Sequence, residues 1–114
     1  MNKREIGNKK EKEAIKIFEK NGYKIIDKNF FGKRGEIDFI AKKDRLIVFV
    51  EVKYRMDKNY GYGEEAVNRK KQIKIYKTAQ EYIQKNRLID YDFRFDVVVI
   101  EQNGYNWIED SFWG

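Results

Sequence analysis

Cysteine, histidine and proline are all absent from this 114-residue chain. Without cysteine there is no disulfide, no thiolate zinc site and no thiol nucleophile. Without histidine the commonest general base is gone, and with it the Ser-His and Cys-His arrangements of nucleophilic catalysis. Any chemistry must therefore run on carboxylates, lysines and a hard metal ion. There is no proline-rich linker, low-complexity tract or internal repeat, so residues 1–114 read as a single domain. At that size folding buries roughly 60–70% of the unfolded surface. Long hydrophobic runs are missing as well. The longest, Leu46 to Val50, is far too short to span a bilayer, and the polar start Met1-Asn2-Lys3-Arg4-Glu5 lacks the apolar stretch of a signal peptide. A soluble, cytoplasmic protein with no membrane partner is the expectation.

What the chain does have is charge, unevenly spread. The net charge is +6. Residues 1–34 hold eleven Lys/Arg against five Asp/Glu, and residues 69–87 hold seven against one. Residues 35–68 are nearly neutral, and residues 88–114 hold one Lys/Arg against six acids. Two basic segments flanking a neutral middle suit a polyanion, because Lys and Arg near phosphates release condensed counterions. A lysine-rich solubilising surface is the alternative reading.

Residues from about Glu5 to Asn21 read as a helix, with Ala14, Ile15 and Phe18 as its apolar stripe and Asn21-Gly22 as its stop. Tyr23 to Asp27 is a short strand. Gly32 and Gly35 bracket a basic loop carrying Lys33 and Arg34. Glu36–Lys42 and Arg45–Tyr54 alternate with a period of two and form a β-hairpin around Lys43-Asp44. A Gly/Tyr-rich loop covers Asp57–Gly63, and a second helix starts at Glu64 or Asn68 and runs to Asn86. Phe93–Ile100 is a strand, and Asn103-Gly104 turns into a last one, Tyr105–Ile108. The order α-β-β-β-α-β-β predicts an α/β fold, a small mixed sheet flanked by helices.

The hairpin carries the strongest chemical signal. With Lys43-Asp44 as the loop, residue 42 pairs with 45, 38 with 49 and 36 with 51. Glu36, Asp38, Glu51 and Lys53 then share one face, and Ile37, Phe39, Val48, Val50 and Val52 take the other. Glu36 lies across from Glu51, with Asp38 diagonal to it. Like charges paired in a sheet are destabilising, and a divalent cation such as Mg²⁺ or Mn²⁺ would offset the repulsion. A bulge would break this parity, and a solvated polar face balanced by Lys53 is the competing account. Glu11 lies on the Ala14, Ile15, Phe18 stripe of the first helix, and Gln72 stands in the same relation to Ile75, Tyr76, Ala79 and Ile83 of the second. Each helix thus turns one polar residue toward its apolar side, which is costly unless that residue finds a partner. A site shared by Glu11, Asp38, Glu51, Lys53 and Gln72 would supply one; a helix-end residue reaching water would not need one.

Several stretches resemble the PD-(D/E)xK nuclease superfamily, whose core order is α-β-β-β-α-β. They are Glu11-x-x-Ala14, Gly22-Tyr23, Gly35-Glu36-Ile37-Asp38-Phe39-Ile40-Ala41, Phe49-Val50-Glu51-Val52-Lys53-Tyr54-Arg55, Ala66-Val67…Lys71-Gln72 and Arg94-Phe95-Asp96-Val97-Val98. More narrowly, the sequence resembles the UPF0102 (YraN-like) family of predicted endonucleases, related in fold to archaeal Holliday-junction resolvases. The resemblance implies a restriction-endonuclease-like core, Asp38 and Glu51 as ligands to Mg²⁺ or Mn²⁺, Lys53 assisting the attacking water, and Glu11 as an accessory acid. Gln72 with Tyr76 is similar to the Q-x-x-x-Y pattern of RecB-like nucleases. Lys10 stands where a glycine often precedes the first-helix glutamate, and the proline of the superfamily name is missing.

The resulting expectation is a metal-dependent endonuclease acting on DNA, branched DNA included. Its rivals are a non-catalytic nucleic-acid-binding module of the same fold and a protein-interaction domain. Candidate phosphate contacts are Lys33, Arg34, Arg55, Arg69, Lys70 and Lys71. Arg55, Lys58, Tyr60 and Tyr62 are expected in the loop after the site, where they either grip DNA or form an ordinary connection. Trp107, Phe112 and Trp113 either build a homodimer interface or close the core.

Overall fold

The computed structural model describes residues 3–55 and 68–112, with side chains from Asn8 onward. Its first element, α1 (Lys3–Lys20), ends where Asn21-Gly22 predicts. Gly22 takes φ +88°, a left-handed conformation that lets the chain turn back. The Tyr23 N–H then donates to the Phe18 carbonyl at 3.0 Å and the Gly22 N–H to that of Glu19 at 3.1 Å. This is a Schellman cap, and the Tyr23 ring completes it by meeting Phe18 edge-on at 5.0 Å.

Strands β1 (Lys24–Phe31), β2 (Glu36–Lys43), β3 (Leu46–Arg55), β4 (Asp92–Glu101) and β5 (Gly104–Ile108) form one sheet in the order β1-β2-β3-β4-β5. Neighbours are antiparallel except β3 and β4, which are parallel. A parallel pair needs a crossover, and helix α2 (Arg69–Lys85) lies between the two in sequence. Asn68 caps α2, its side-chain oxygen accepting the Lys71 N–H at 2.9 Å. This is the expected α/β fold, a mixed sheet with its helices in the order α-β-β-β-α-β-β, consistent with a restriction-endonuclease-like core.

The sheet is buried on both faces. Ala14, Ile15 and Phe18 of α1 pack on Phe39, Ala41, Val48, Val50, Val98 and Ile100. On the other face Ile75, Ala79 and Tyr82 of α2 pack on Ile37, Ile40, Ile47, Phe49, Phe95, Val97 and Val99. Burying one such side chain contributes about 1.5–3 kcal/mol. The terminal aromatics serve this core. Trp107 lies 4.3 Å from Phe18 and Phe112 stacks on Phe95 at 5.0 Å, ring centroid to centroid, while Trp113 falls outside the described residues.

Three expectations are corrected. First, the hairpin loop is Asp44-Arg45, one residue later than expected, with Lys43 paired to Leu46. Asp44 takes φ +54°, which aspartate tolerates better than most residues. The Arg45 guanidinium ties the loop down by donating to the Asp90 carbonyl at 2.6 and 3.0 Å. Pairing therefore ends at Phe39↔Val50, and Asp38 and Glu51, not Glu36 and Glu51, stand opposite each other just beyond it.

Second, the parity of β2 breaks at Asp38. Ile37 packs on the α2 face although Phe39 and Ala41 pack on the α1 face, so Ile37 and Phe39 do not share a side as expected. Asn29 of β1, across from this point, has φ +51°. Third, β1 runs on from Asp27 to Phe31, through a register shift between Ile25 and Asp27.

Candidate active site at the β2–β3 fork

Where β2 and β3 part, Asp38 replaces the missing backbone partner: its Oδ2 accepts the Val52 N–H at 2.8 Å. Glu51, on the neighbouring strand, is only 5% exposed. Its Oε2 lies 3.2 Å from the Lys71 ammonium, which reaches over from the first turn of α2. Lys71 is itself half exposed. From the other side of the sheet Glu11 of α1 joins Glu36 and Asp38 along one groove of about 610 Å³, which Asn29, Phe31, Val52 and Tyr54 also line.

The electrostatics follow from burial and like charge. Burial pushes Glu51 up to about 7, with Asp38 and Glu36 adding to the shift and Lys71 opposing it. Glu11 is likewise pushed up to about 7, by burial first and then by Asp38 and Glu36, against Lys28. Burial also raises Asp38, offset by the Val52 N–H, by Lys71 and by a hydrogen bond with Glu51. Glu36 rises through burial and Asp38, against Lys71. Four carboxyls thus hold their protons more tightly than usual, because burial disfavours their charged forms and, for Glu11, Glu36 and Glu51, neighbouring acids add to it.

Such a set has the oxygen chemistry of a hard-cation site. Among the described residues no three acidic side chains come together to hold an ion by themselves. Asp38 and Glu51, which hydrogen-bond to each other, could supply two oxygens, with waters or a substrate completing the shell. That division suits Mg²⁺, which sheds water reluctantly and is often held by one or two carboxylates.

The other expected site residues are distributed as follows. Lys53 is two residues beyond Glu51 in a strand whose pairing with β4 is unbroken, so it shares the Glu51 face. Gln72 lines a different groove on the α2 side, with Arg69, Ile73, Tyr76, Phe95 and Phe112, and none of the four acids borders it. Lys33 and Arg34 are exposed in the β1–β2 turn, and Arg69, Lys70 and Lys71 are exposed on α2. The turn packs on α2: a Cβ on Gly32 would come within 2.9 Å of Thr78, and one on Gly35 within 3.7 Å of Lys74. The Lys33-Arg34 end of the first basic segment therefore meets the second, while α1, which carries most of that segment, packs on the opposite face of the sheet. Arg55 is not a loop residue. It ends β3 and donates to Glu101 at 3.0 Å. Lys58, Tyr60 and Tyr62 lie outside the described residues.

Two arrangements go beyond what sequence reasoning supplies. One is the Lys71–Glu51 contact, which spans the crossover; the asparagine cap at Asn68 is its only local trace. The other surrounds Asp96, fully buried on β4. Arg94 donates to both its oxygens, at 2.8 and 2.7 Å, and the Trp107 indole and the Asp110 N–H add bonds of 2.9 and 3.0 Å. The alternating acid and arginine in Arg94-Phe95-Asp96 could have signalled it, since both point to the same face.

Among the described residues no helix is long and apolar enough to cross a membrane. Residues 10–100 match the sequence model of the uncharacterised protein family UPF0102. A UPF0102 protein of Fusobacterium nucleatum subsp. nucleatum is 46% identical over the whole of this chain and 96% of its own length. One from Sulfurihydrogenibium sp. is 46% identical over 98% of this chain and 97% of its own. Another from Clostridium tetani is 50% identical over 90% and 84%. With a match across most of its length and relatives this similar end to end, the chain belongs to the UPF0102 family.

Proposed function

We propose that this protein is a metal-dependent endonuclease that hydrolyses DNA phosphodiester bonds, branched DNA among its substrates. One observation carries the reading: a half-buried carboxyl, Asp38, and a buried one, Glu51, face each other where β2 and β3 cease to pair, with raised affinity for protons and a groove beside Asp38. Asp38 and Glu51 would hold Mg²⁺ or Mn²⁺, which would supply water activation and charge neutralisation at the phosphoryl oxygens. Asp38 is held in place by the Val52 N–H, so little reorganisation is needed to present its oxygens. Lys53, on the same face as Glu51, carries an ammonium that complements negative charge developing at phosphorus. Glu11, pushed to about 7, is matched to exchanging a proton near neutral pH, either with the water or with the departing oxygen. Lys33, Arg34, Arg69 and Lys70 form the adjoining basic surface and grip the backbone without reading sequence.

A DNA-binding module of the same fold without turnover is the second reading. It is favoured by the Lys71–Glu51 ion pair, in which an ammonium already provides part of the compensating charge. Incubation with supercoiled, linear, single-stranded and branched DNA in Mg²⁺ and in Mn²⁺ separates the two. Cleavage by the wild type that is lost in Glu51→Gln supports the enzyme. Binding with no cleavage of any substrate selects the module. Absence of binding at low salt removes both and leaves a protein-interaction domain.

A further inference from the structure

The groove on the α1 side of the fork holds two aromatic side chains that the core does not use. Phe31 is 72% exposed and Tyr54 is 38% exposed. Both line the same groove as Glu11, Glu36 and Asp38. Phe31 pairs with Glu36 across β1 and β2, and β3, which carries Tyr54, adjoins β2 on the other side. The acids of β2 thus lie on the strand between those that carry the two aromatics.

These aromatics are held by the fold. Phe31 ends β1 immediately before the turn closed by the Gly32 N–H bond to the Gly35 carbonyl, 2.8 Å. The Lys33 N–H anchors that turn to Glu81 of α2 at 3.0 Å. Tyr54 sits within β3, in register with Ile100 of β4. Leaving a phenylalanine this open forgoes the stabilisation of burial.

The chemistry of the groove selects what stacks. Resting on the reading of the fork as a phosphodiester site, a phosphate at Asp38 and Glu51 places the adjoining nucleotides within this groove. In a continuous duplex both faces of each base are covered by neighbours, so a wall of the groove meets only sugar and phosphate. A base can lie on Phe31 or Tyr54 only if it is unpaired and unstacked. Base–aromatic stacking stabilises such a base whatever its identity. Lys10 at the groove and Lys28, whose charge acts on Glu11, supply positive charge for the flanking backbone. We propose that the groove between Phe31 and Tyr54 binds an unpaired nucleotide, so that the site takes DNA that is single-stranded beside the attacked phosphate: gaps, flaps and junction branches in preference to uninterrupted duplex.

The test is equilibrium binding, in Ca²⁺, of fluorescent duplexes of equal length that are either continuous or carry a short single-stranded gap with 2-aminopurine in it. The wild type should bind the gapped DNA at least about tenfold more tightly, with the 2-aminopurine emission quenched by stacking. Phe31→Ala and Tyr54→Ala should each lose about tenfold on gapped DNA and little on continuous duplex, while Phe31→Trp retains the preference. Circular dichroism of each variant checks that a loss is not unfolding. Equal affinity of the wild type for both DNAs, or an equal loss on both in Phe31→Ala, overturns the proposal. Aromatic-dependent gap preference without cleavage by the wild type would keep the groove and discard the nuclease. Cleavage with no aromatic dependence would do the reverse.

Discussion

Two sets of acids lie on this sheet, Asp96 on β4 and the Asp38–Glu51 pair where β2 and β3 part, and their surroundings differ sharply. Asp96 is fully buried, yet each of its oxygens accepts two hydrogen bonds, and one donor, Arg94, is a cation. Arg94 is further held by the Tyr23 hydroxyl at 3.1 Å. The network joins β4, β5 and the residues after β5 into one piece. It is closed, with nothing left for a ligand to do. Glu51 is also buried and Asp38 half-buried, but they face each other, and the compensating ammonium of Lys71 is half exposed. Burial alone therefore does not mark a functional acid. What distinguishes the fork is that its acids crowd one another, with raised proton affinity, next to open space, the condition under which perturbed groups point to function.

The contrast is broken most forcefully by substituting each acid in turn. Glu51→Gln and Asp38→Asn should lower cleavage by about 10²-fold or more, the scale on which removal of charge-stabilising groups acts. Neither should lower the melting temperature of the metal-free protein, since each removes one of two repelling carboxylates. Asp96→Ala should do the opposite. It leaves Arg94 without its main partner and should cost about 3–5 kcal/mol, read by chemical denaturation. If Glu51→Gln destabilises as much as Asp96→Ala, the fork is a structural site as well.

A smaller effect is expected on the salt dependence of DNA binding. Neutralising any one of Lys33, Arg34, Arg69 and Lys70 should flatten the slope of log K against log[salt] by about 0.9 on duplex DNA, the increment for one phosphate. Asp38→Asn should leave that slope unchanged.

The stability of the metal-free protein should also depend on pH in a set direction. Glu51 and Glu11 rise from near 4.5 to about 7 on folding. The folded state then binds more protons than the unfolded one between these values, so stability falls as pH rises from 4.5 through 7. Denaturation in the presence of a chelator across this range should show the decline, and Glu51→Gln should reduce it. A rise over the same window would contradict the assigned shifts. The smallest effect belongs to Lys71→Met. An ammonium and a divalent cation compete for Glu51, so its removal should tighten Mn²⁺ binding. A half-exposed ion pair is worth about 0.2–1 kcal/mol, which corresponds to at most about fivefold.

Much of this architecture is legible in the chain, and the departures have identifiable causes. The stripe of α1 and its Asn21-Gly22 stop are local signals, and the cap forms on those residues. The alternation in β2 and β3 locates the hairpin, and its pattern with that of α1 singles out Glu11, Asp38 and Glu51. The loop falls one residue later than the pattern suggests, because Lys43 and Asp44 suit a turn about as well as Asp44 and Arg45 do. Anchoring of Arg45 to Asp90 is a tertiary effect. The second half of β1 is hidden because the polar pair Lys28-Asn29 interrupts the apolar pattern; Asn29 takes φ +51° within the strand. The break in parity at Asp38 depends on both β1 and β2 deforming together, which no single-strand pattern encodes. It separates Glu36 from Glu51 and turns Glu36 toward the groove of Glu11. A helical position fixes the face of a helix, but the crossing of that helix over the sheet decides what the face meets. Here Lys71 reaches Glu51, while Gln72 looks into the groove over Phe95 and Phe112.

The claim that the fork is built to hold a cation is tested most directly by calorimetric titration with Mn²⁺, comparing the wild type with Glu51→Gln and with a variant of equal charge change elsewhere, Glu109→Gln. The wild type and Glu109→Gln should bind Mn²⁺ alike, with affinity rising from about pH 5.5 to 7.5 as the carboxyls lose their protons, and Glu51→Gln should show no binding. Binding of the same strength in all three proteins would contradict a metal site at Asp38 and Glu51.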